Sequence, residues 1–126
     1  MSERAVVRKL FERLAGSQRL PFPKPRSRLD APDQHGVYII FSPQDKVLHV
    51  GRTPRGRKGI RQRLGNHLHN ASSFTNQYLK GRGARLRKGH KFCYLVVPEP
   101  RLRALLEAYA IGVLCPAHLG LGQLAT

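Results

Sequence analysis

A chain of 126 residues is long enough for one domain with a single core of modest size, and 40% hydrophobic residues with four Tyr and five Phe exclude a disordered basic tail. Its 23 Lys and Arg against seven Asp and Glu leave a net charge of +16, so a polyanionic partner is expected. The two cysteines, Cys93 and Cys115, lie far apart without a CxxC pairing and suggest neither a disulfide framework nor a zinc finger.

The first residues break every apolar run with a charge, so no signal-peptide core is read, and nothing approaches the roughly 18 apolar residues of a membrane span. A cytoplasmic, nucleoid-associated location is expected. Residues 4–15 place Val6, Val7, Leu10, Phe11 and Leu14 at helical spacing. Pro21, Pro23 and Pro25 then make residues 16–31 an extended basic arm. Helix and arm (1–31) are set apart from a second unit (32–126), and serve either as an extra DNA contact or as a helix docked on a sheet.

Gly36-Val37-Tyr38-Ile39-Ile40-Phe41 and Val47-Leu48-His49-Val50-Gly51-Arg52 read as a hairpin joined by the turn residues 42–46. Each strand carries one polar ring, Tyr38 or His49, that folding does not require. Residues 53–59 follow as a basic loop broken by Pro and Gly, containing Arg55, Arg57 and Lys58. From Ile60 the period is helical: Ile60, Leu64 and Leu68 share a face, while Arg63 and His67, four apart, stand one above the other.

Ser72 or Ser73 caps a second short helix bearing Phe74 and Tyr78, and residues 81–89 form another basic loop with Arg82, Arg85, Arg87 and Lys88. Lys91–Val97 is a third strand, which Pro98 ends. Between Asp45 and Glu99 the chain carries thirteen Lys and Arg and no acid, a distribution suited to facing phosphate. Arg52, Arg55, Arg57, Lys58, Arg61, Arg63, Arg82, Arg85, Arg87 and Lys88 are the candidate nucleic-acid contacts.

The helix from Arg101 to Leu114 is apolar nearly all round, with a core stripe of Leu102, Leu105, Leu106, Tyr109 and Val113 and one carboxylate, Glu107. Such a group needs a cation, either a neighbouring Arg or a bound divalent metal. Histidine spacing gives no zinc site: His67 and His69 are two apart, and His35 and His49 lie on separate elements. A tyrosine, histidines, arginines and a carboxylate are suitable parts for phosphodiester cleavage, with Tyr38 or a histidine taking the proton of an attacking water.

In these parts the sequence resembles the GIY-YIG nucleases. Gly36-Val37-Tyr38 is similar to the first motif, His49-Val50-Gly51 to the second, Arg63 and His67 to the Arg-x-x-x-His helix, and Glu107 with Pro116 to the metal-binding glutamate helix; the likeness spans about residues 33–120. It implies an α/β (α+β) domain with a three-stranded antiparallel sheet flanked by helices, and an endonuclease that cleaves double-stranded or branched DNA with one Mg²⁺ or Mn²⁺. By the same resemblance Tyr38 is the general base or its close partner, His49 takes the place of the second-motif tyrosine, and Arg52 stands where a basic residue follows that motif. Arg63 binds the scissile phosphate, His67 supports phosphate or water, and Glu107 holds the metal.

Two departures in the residues stand out, His49 for tyrosine and Ala117-His118-Leu119-Gly120 where an asparagine follows the proline; with no partner domain recognised within residues 1–126, target choice is expected to fall to the basic arm and the loops at 53–59 and 81–89. The alternative to a nuclease is a basic DNA- or RNA-binding module of the same fold without catalysis. A ribosomal or RNA-associated protein would leave the Tyr38 and His49 pair unexplained.

Overall fold

The computed structural model describes residues 1–54 and 58–120, so Arg55 and Arg57 lie outside the described residues. A helix α1 (Glu3–Ala15) is capped by the Ser2 hydroxyl, which accepts from Ala5 N. It leads to a two-residue strand β1 (Leu20–Pro21), then the hairpin β2 (Gly36–Phe41) and β3 (Val47–Arg52). Helices α2 (Ile60–Leu68) and α3 (Ser73–Gln77), a 3₁₀ turn at Gly83–Arg87, strand β4 (Lys91–Val96) and helix α4 (Pro100–Leu114) complete the chain.

The sheet is antiparallel in the order β1-β4-β2-β3, four strands where three were expected. The extra strand comes from the arm, where Leu20 pairs with Phe92 and Pro21 with Lys91. Two residues ending in proline carry no periodicity, and an edge is where a strand tolerates the missing N–H. The expected loop at 81–89 also contains more order: Leu86, fully buried, anchors the 3₁₀ turn to the core.

Strand β2 is interior, and all six of its residues are buried, so both faces of the sheet are covered. Tyr38 and Ile40 point to one layer, with Leu48, Ile60, Leu64, Phe74, Leu86 and Phe92. Val37, Ile39 and Phe41 point to the other, with Leu14, Val50, Cys93, Leu106 and Ala110. The arm belongs to the first layer through Phe22, Leu29 and Ala31, and Phe22 meets Phe92 edge to face.

Of the two roles open to the N-terminal helix, the fold assigns it docking: α1 buries Val7 and Leu14, and its Phe11 ring meets Tyr109 of α4 at 5.3 Å. Glu3 and Arg101 tie the two helices at 2.7 Å. Among the described residues no helix is long and apolar enough to cross a membrane.

Candidate active site

Strand β3 lies at the sheet edge, the place where side chains from both layers can meet. On β2, Tyr38 pairs with Gly51 and Ile40 with His49, and a register shift at Ile40/Phe41 marks a bulge. Tyr38 and His49 therefore share a face two positions apart, with ring centroids 6.0 Å from each other. Gly51 is required here, because a Cβ at that position would overlap the Tyr38 ring and hydroxyl.

Helix α2 supplies Arg63 and His67, one turn apart. His67 is fully buried, unlike a surface phosphate ligand, and its Nε2 lies 2.7 Å from the Tyr38 hydroxyl. Its Nδ1 lies 2.6 Å from Ser72 Oγ. The hydroxyls set the direction of this chain. Thr75 Oγ1 donates to the His67 carbonyl, so it accepts from Ser72 Oγ at 3.1 Å; Ser72 in turn must accept from His67 Nδ1–H. His67 Nε2 is then an acceptor, and Tyr38 O–H donates to it.

A second histidine chain comes from beyond α4. Cys115 closes that helix in the left-handed region (φ 47°), and the chain turns back along the free edge of β3. There Ala117 N donates to Val47 O and His118 N to Leu48 O, at 3.1 and 2.8 Å. This backbone pairing carries the buried His118 ring to His49, with the two Nδ1 atoms 3.1 Å apart, and sets His118 Nε2 2.8 Å from Gln77 Oε1. His49 also stacks on Phe74 at 4.8 Å.

Burial dominates the electrostatics. The Tyr38 phenol is pushed up to about 12 by desolvation, against the nearby Arg63 guanidinium, which pulls it down. His49 is pushed down to about 3 and His67 to about 2, first by burial and then by neighbouring rings and Arg63. Both rings are therefore neutral at ordinary pH. Glu107 is raised by burial, and the charges of Arg52 and Arg63 oppose that rise. Arg63 thus acts on Tyr38, His49, His67 and Glu107 alike, while its own Nε is buried without a hydrogen-bond partner among the described residues.

Glu107 reaches this point from α4, across the edge of the sheet, and its cation is Arg52: Nε to Oε1 is 3.1 Å. The model of the GIY-YIG catalytic domain matches residues 34–116, about two-thirds of the chain. The chain belongs to the GIY-YIG family. No curated protein matches it.

GIY-YIG domains are typical of endonucleases, which act on DNA and generally use a divalent metal. Among the described residues of this GIY-YIG domain, no three His, Cys, Asp or Glu side chains are grouped to hold a metal. The donor set is one partly desolvated carboxylate, Glu107. A single hard oxygen donor fits Mg²⁺ or Mn²⁺, ions that suit oxygen ligands and, for Mg²⁺, keep several waters and share substrate phosphate oxygens. It does not fit a closed cage.

The basic residues divide by use. Lys58, Arg82, Arg85 and Lys88 are exposed. Arg61 instead donates to Ala31 O at 2.8 Å and pairs with Asp33 at 3.3 Å, while Arg87 donates to Pro23 O at 2.6 Å, so both hold the arm in place. Sequence reasoning missed Thr75, Gln77 and Arg103, and took Ser72 only as a cap and His118 only as what stands where an asparagine is absent. Arg103 is buried at 3% exposure and donates to the carbonyls of Thr53, Val97 and Pro98. A charged letter inside an apolar helix was its only signal.

Proposed function

We propose that this GIY-YIG protein is a metal-dependent endonuclease that hydrolyses DNA phosphodiester bonds at the site formed by Tyr38, His49, Arg63, His67 and Glu107. The observation that carries the reading is Arg63: a guanidinium with a buried, unpartnered Nε–H, whose charge reaches the tyrosine, both rings and the carboxylate. A guanidinium set among these groups offers charge-assisted hydrogen bonds to a phosphate where the reacting atoms would lie.

In the free protein Tyr38 points its proton at His67 Nε2 and accepts from the Arg63 guanidinium, so that one phenol lone pair remains to receive a proton from an attacking water. As that proton arrives, the phenol's own proton passes to His67 Nε2, and the Ser72 oxygen accepts from Nδ1–H of the resulting imidazolium. Arg63 holds the scissile phosphate, whose negative charge offsets one of the causes that keep His67 neutral. Glu107 would hold the cation once Arg52 lets go, and the cation when bound supplies charge stabilisation at the phosphoryl and leaving oxygens. Exposed Lys58, Arg82, Arg85 and Lys88 supply contacts to the DNA backbone.

Incubation with supercoiled plasmid and Mg²⁺ or Mn²⁺ tests this reading. Nicked or linear product is expected from the parent and none from Glu107→Ala. Strong salt-dependent binding without cleavage under any divalent metal would sink the enzyme reading and leave a binding module.

A further inference from the structure

The two places where the chain departs from its family's pattern, His49 in the second motif and His118 after Pro116, touch each other. We infer that Gln77 and His118 are positioning residues that lock the proton of His49 onto Nδ1, so that His49 presents a bare Nε2 lone pair as the acceptor that orients the attacking water. The inference rests on the endonuclease reading and deepens it.

The chain of donors runs in one direction. Gln77 Oε1 only accepts, so His118 Nε2 carries the hydrogen of their 2.8 Å bond. His118 is neutral, burial holding its titration below the ordinary value, and its Nδ1 is then a lone pair. Two nitrogens at 3.1 Å need one hydrogen between them, and only His49 has it to give. His49 Nε2 is left without a proton. It has no hydrogen-bond partner among the described residues and stands as a free acceptor.

The arrangement differs from what a phenol offers at the same place. A hydroxyl both donates and accepts, so it holds a water in either sense. A bare imidazole nitrogen accepts only, and therefore holds a water by one hydrogen, with its oxygen turned away from the ring. The water's second proton then remains for Tyr38, and His49 keeps a constant proton load through the reaction. Stacking on Phe74 at 4.8 Å and the edge contact with His67 at 5.2 Å keep the ring from turning over. Gln77 lies on α3, whose cap Ser72 also ends the Tyr38 and His67 chain, so one short helix orders both histidines.

Long-range proton–nitrogen correlation spectra of the ¹⁵N-histidine-labelled protein, with only six histidines to resolve, read the proton on each ring nitrogen directly. The parent should show His49 protonated on Nδ1 and bare at Nε2. Gln77→Glu places a carboxylate on His118 Nε2–H and favours its doubly protonated form; His118 Nδ1 then donates, and the His49 pattern should reverse. His118→Leu should lower kcat by roughly 10²-fold, with DNA affinity in EDTA within about twofold of the parent.

A parent His49 with its proton on Nε2, a Gln77→Glu protein with an unchanged His49 ring, or a His118→Leu protein that cleaves like the parent would each overturn the inference. A parent that binds DNA and cleaves none with either metal sinks the endonuclease reading instead. In that event the ring pattern and its reversal by Gln77→Glu still decide whether Gln77 and His118 set the His49 proton.

Discussion

Arg52 and Glu107 meet at 3.1 Å across the edge of the sheet, the arginine from the end of β3 and the carboxylate from the middle of α4. The carboxylate best placed to take a metal thus already rests on a cation of the protein. A metal held by Glu107 would compete with that pair. Because the pair is partly exposed, opening it costs about 1 kcal/mol or less. Arg52→Gln should therefore tighten Mn²⁺ binding to the DNA-free protein by no more than about fivefold. Calorimetric titration checks this, with Glu107→Ala expected to abolish the binding heat.

Gly51→Ala should damage the site from beneath. The new methyl group would overlap the Tyr38 hydroxyl and ring, and Tyr38 is fully buried with nowhere to move. A loss of about 1–3 kcal/mol in urea unfolding is expected, with cleavage falling further than stability accounts for, because the Tyr38 to His67 bond is lost as well. Wild-type cleavage by the folded variant would show that the phenol position does not matter.

Stability should fall with acid in a defined direction. His49 and His67 are depressed from the ordinary 6.5 to about 3 and about 2, so the unfolded chain binds more protons than the folded one throughout that interval. Their stabilising contribution is complete above pH 6.5 and is lost as pH falls toward the folded values, each ring removing up to about 1.4 kcal/mol per pH unit. Urea midpoints at pH 7 and pH 5 should differ clearly for the parent and by less for His67→Gln. An equal drop in that variant would clear His67 of the effect.

Arg103→Met should destabilise the fold although no acidic partner is lost. The guanidinium satisfies the carbonyls of Thr53, Val97 and Pro98, and methionine leaves them facing a buried side chain that cannot donate. A cost of about 1–3 kcal/mol for each carbonyl left buried and unpaired sets the scale, measured by urea unfolding. Since Thr53 adjoins Arg52, the variant should also loosen the Arg52 to Glu107 pair.

The hairpin was legible because two β-rich runs flank a short polar turn, and α2 and α4 because their apolar residues recur at helical spacing, although the face that α4 buries is that of Leu102, Leu106 and Ala110 and leaves the expected Tyr109 and Val113 exposed. Tyr38, His49 and Glu107 could each be picked out as a polar side chain that the surrounding pattern did not need, whereas Arg63 and His67 read alone as two ordinary surface residues on a basic helix and stood out only through the family's Arg-x-x-x-His pattern. β1 could not be read, since a two-residue strand containing proline has no period and exists only because β4 offers an edge to pair with. Nor could the uses of Arg61 and Arg87 be read. A guanidinium in a basic run looks the same whether it faces phosphate or caps a carbonyl of the arm.

By itself the sequence determined the charge, the order of the elements, the spacing of the motifs and the family, all of which depend on residues near one another along the chain or on composition. The tertiary structure alone decided that Arg52 is the cation of Glu107, that His67 is interior and reached through Tyr38, and that His118 meets His49 from 69 residues away. Those are meetings between layers. They depend on where the chain runs after Cys115 turns it along β3, and the proton on an imidazole is set by whichever partner that path brings to the ring.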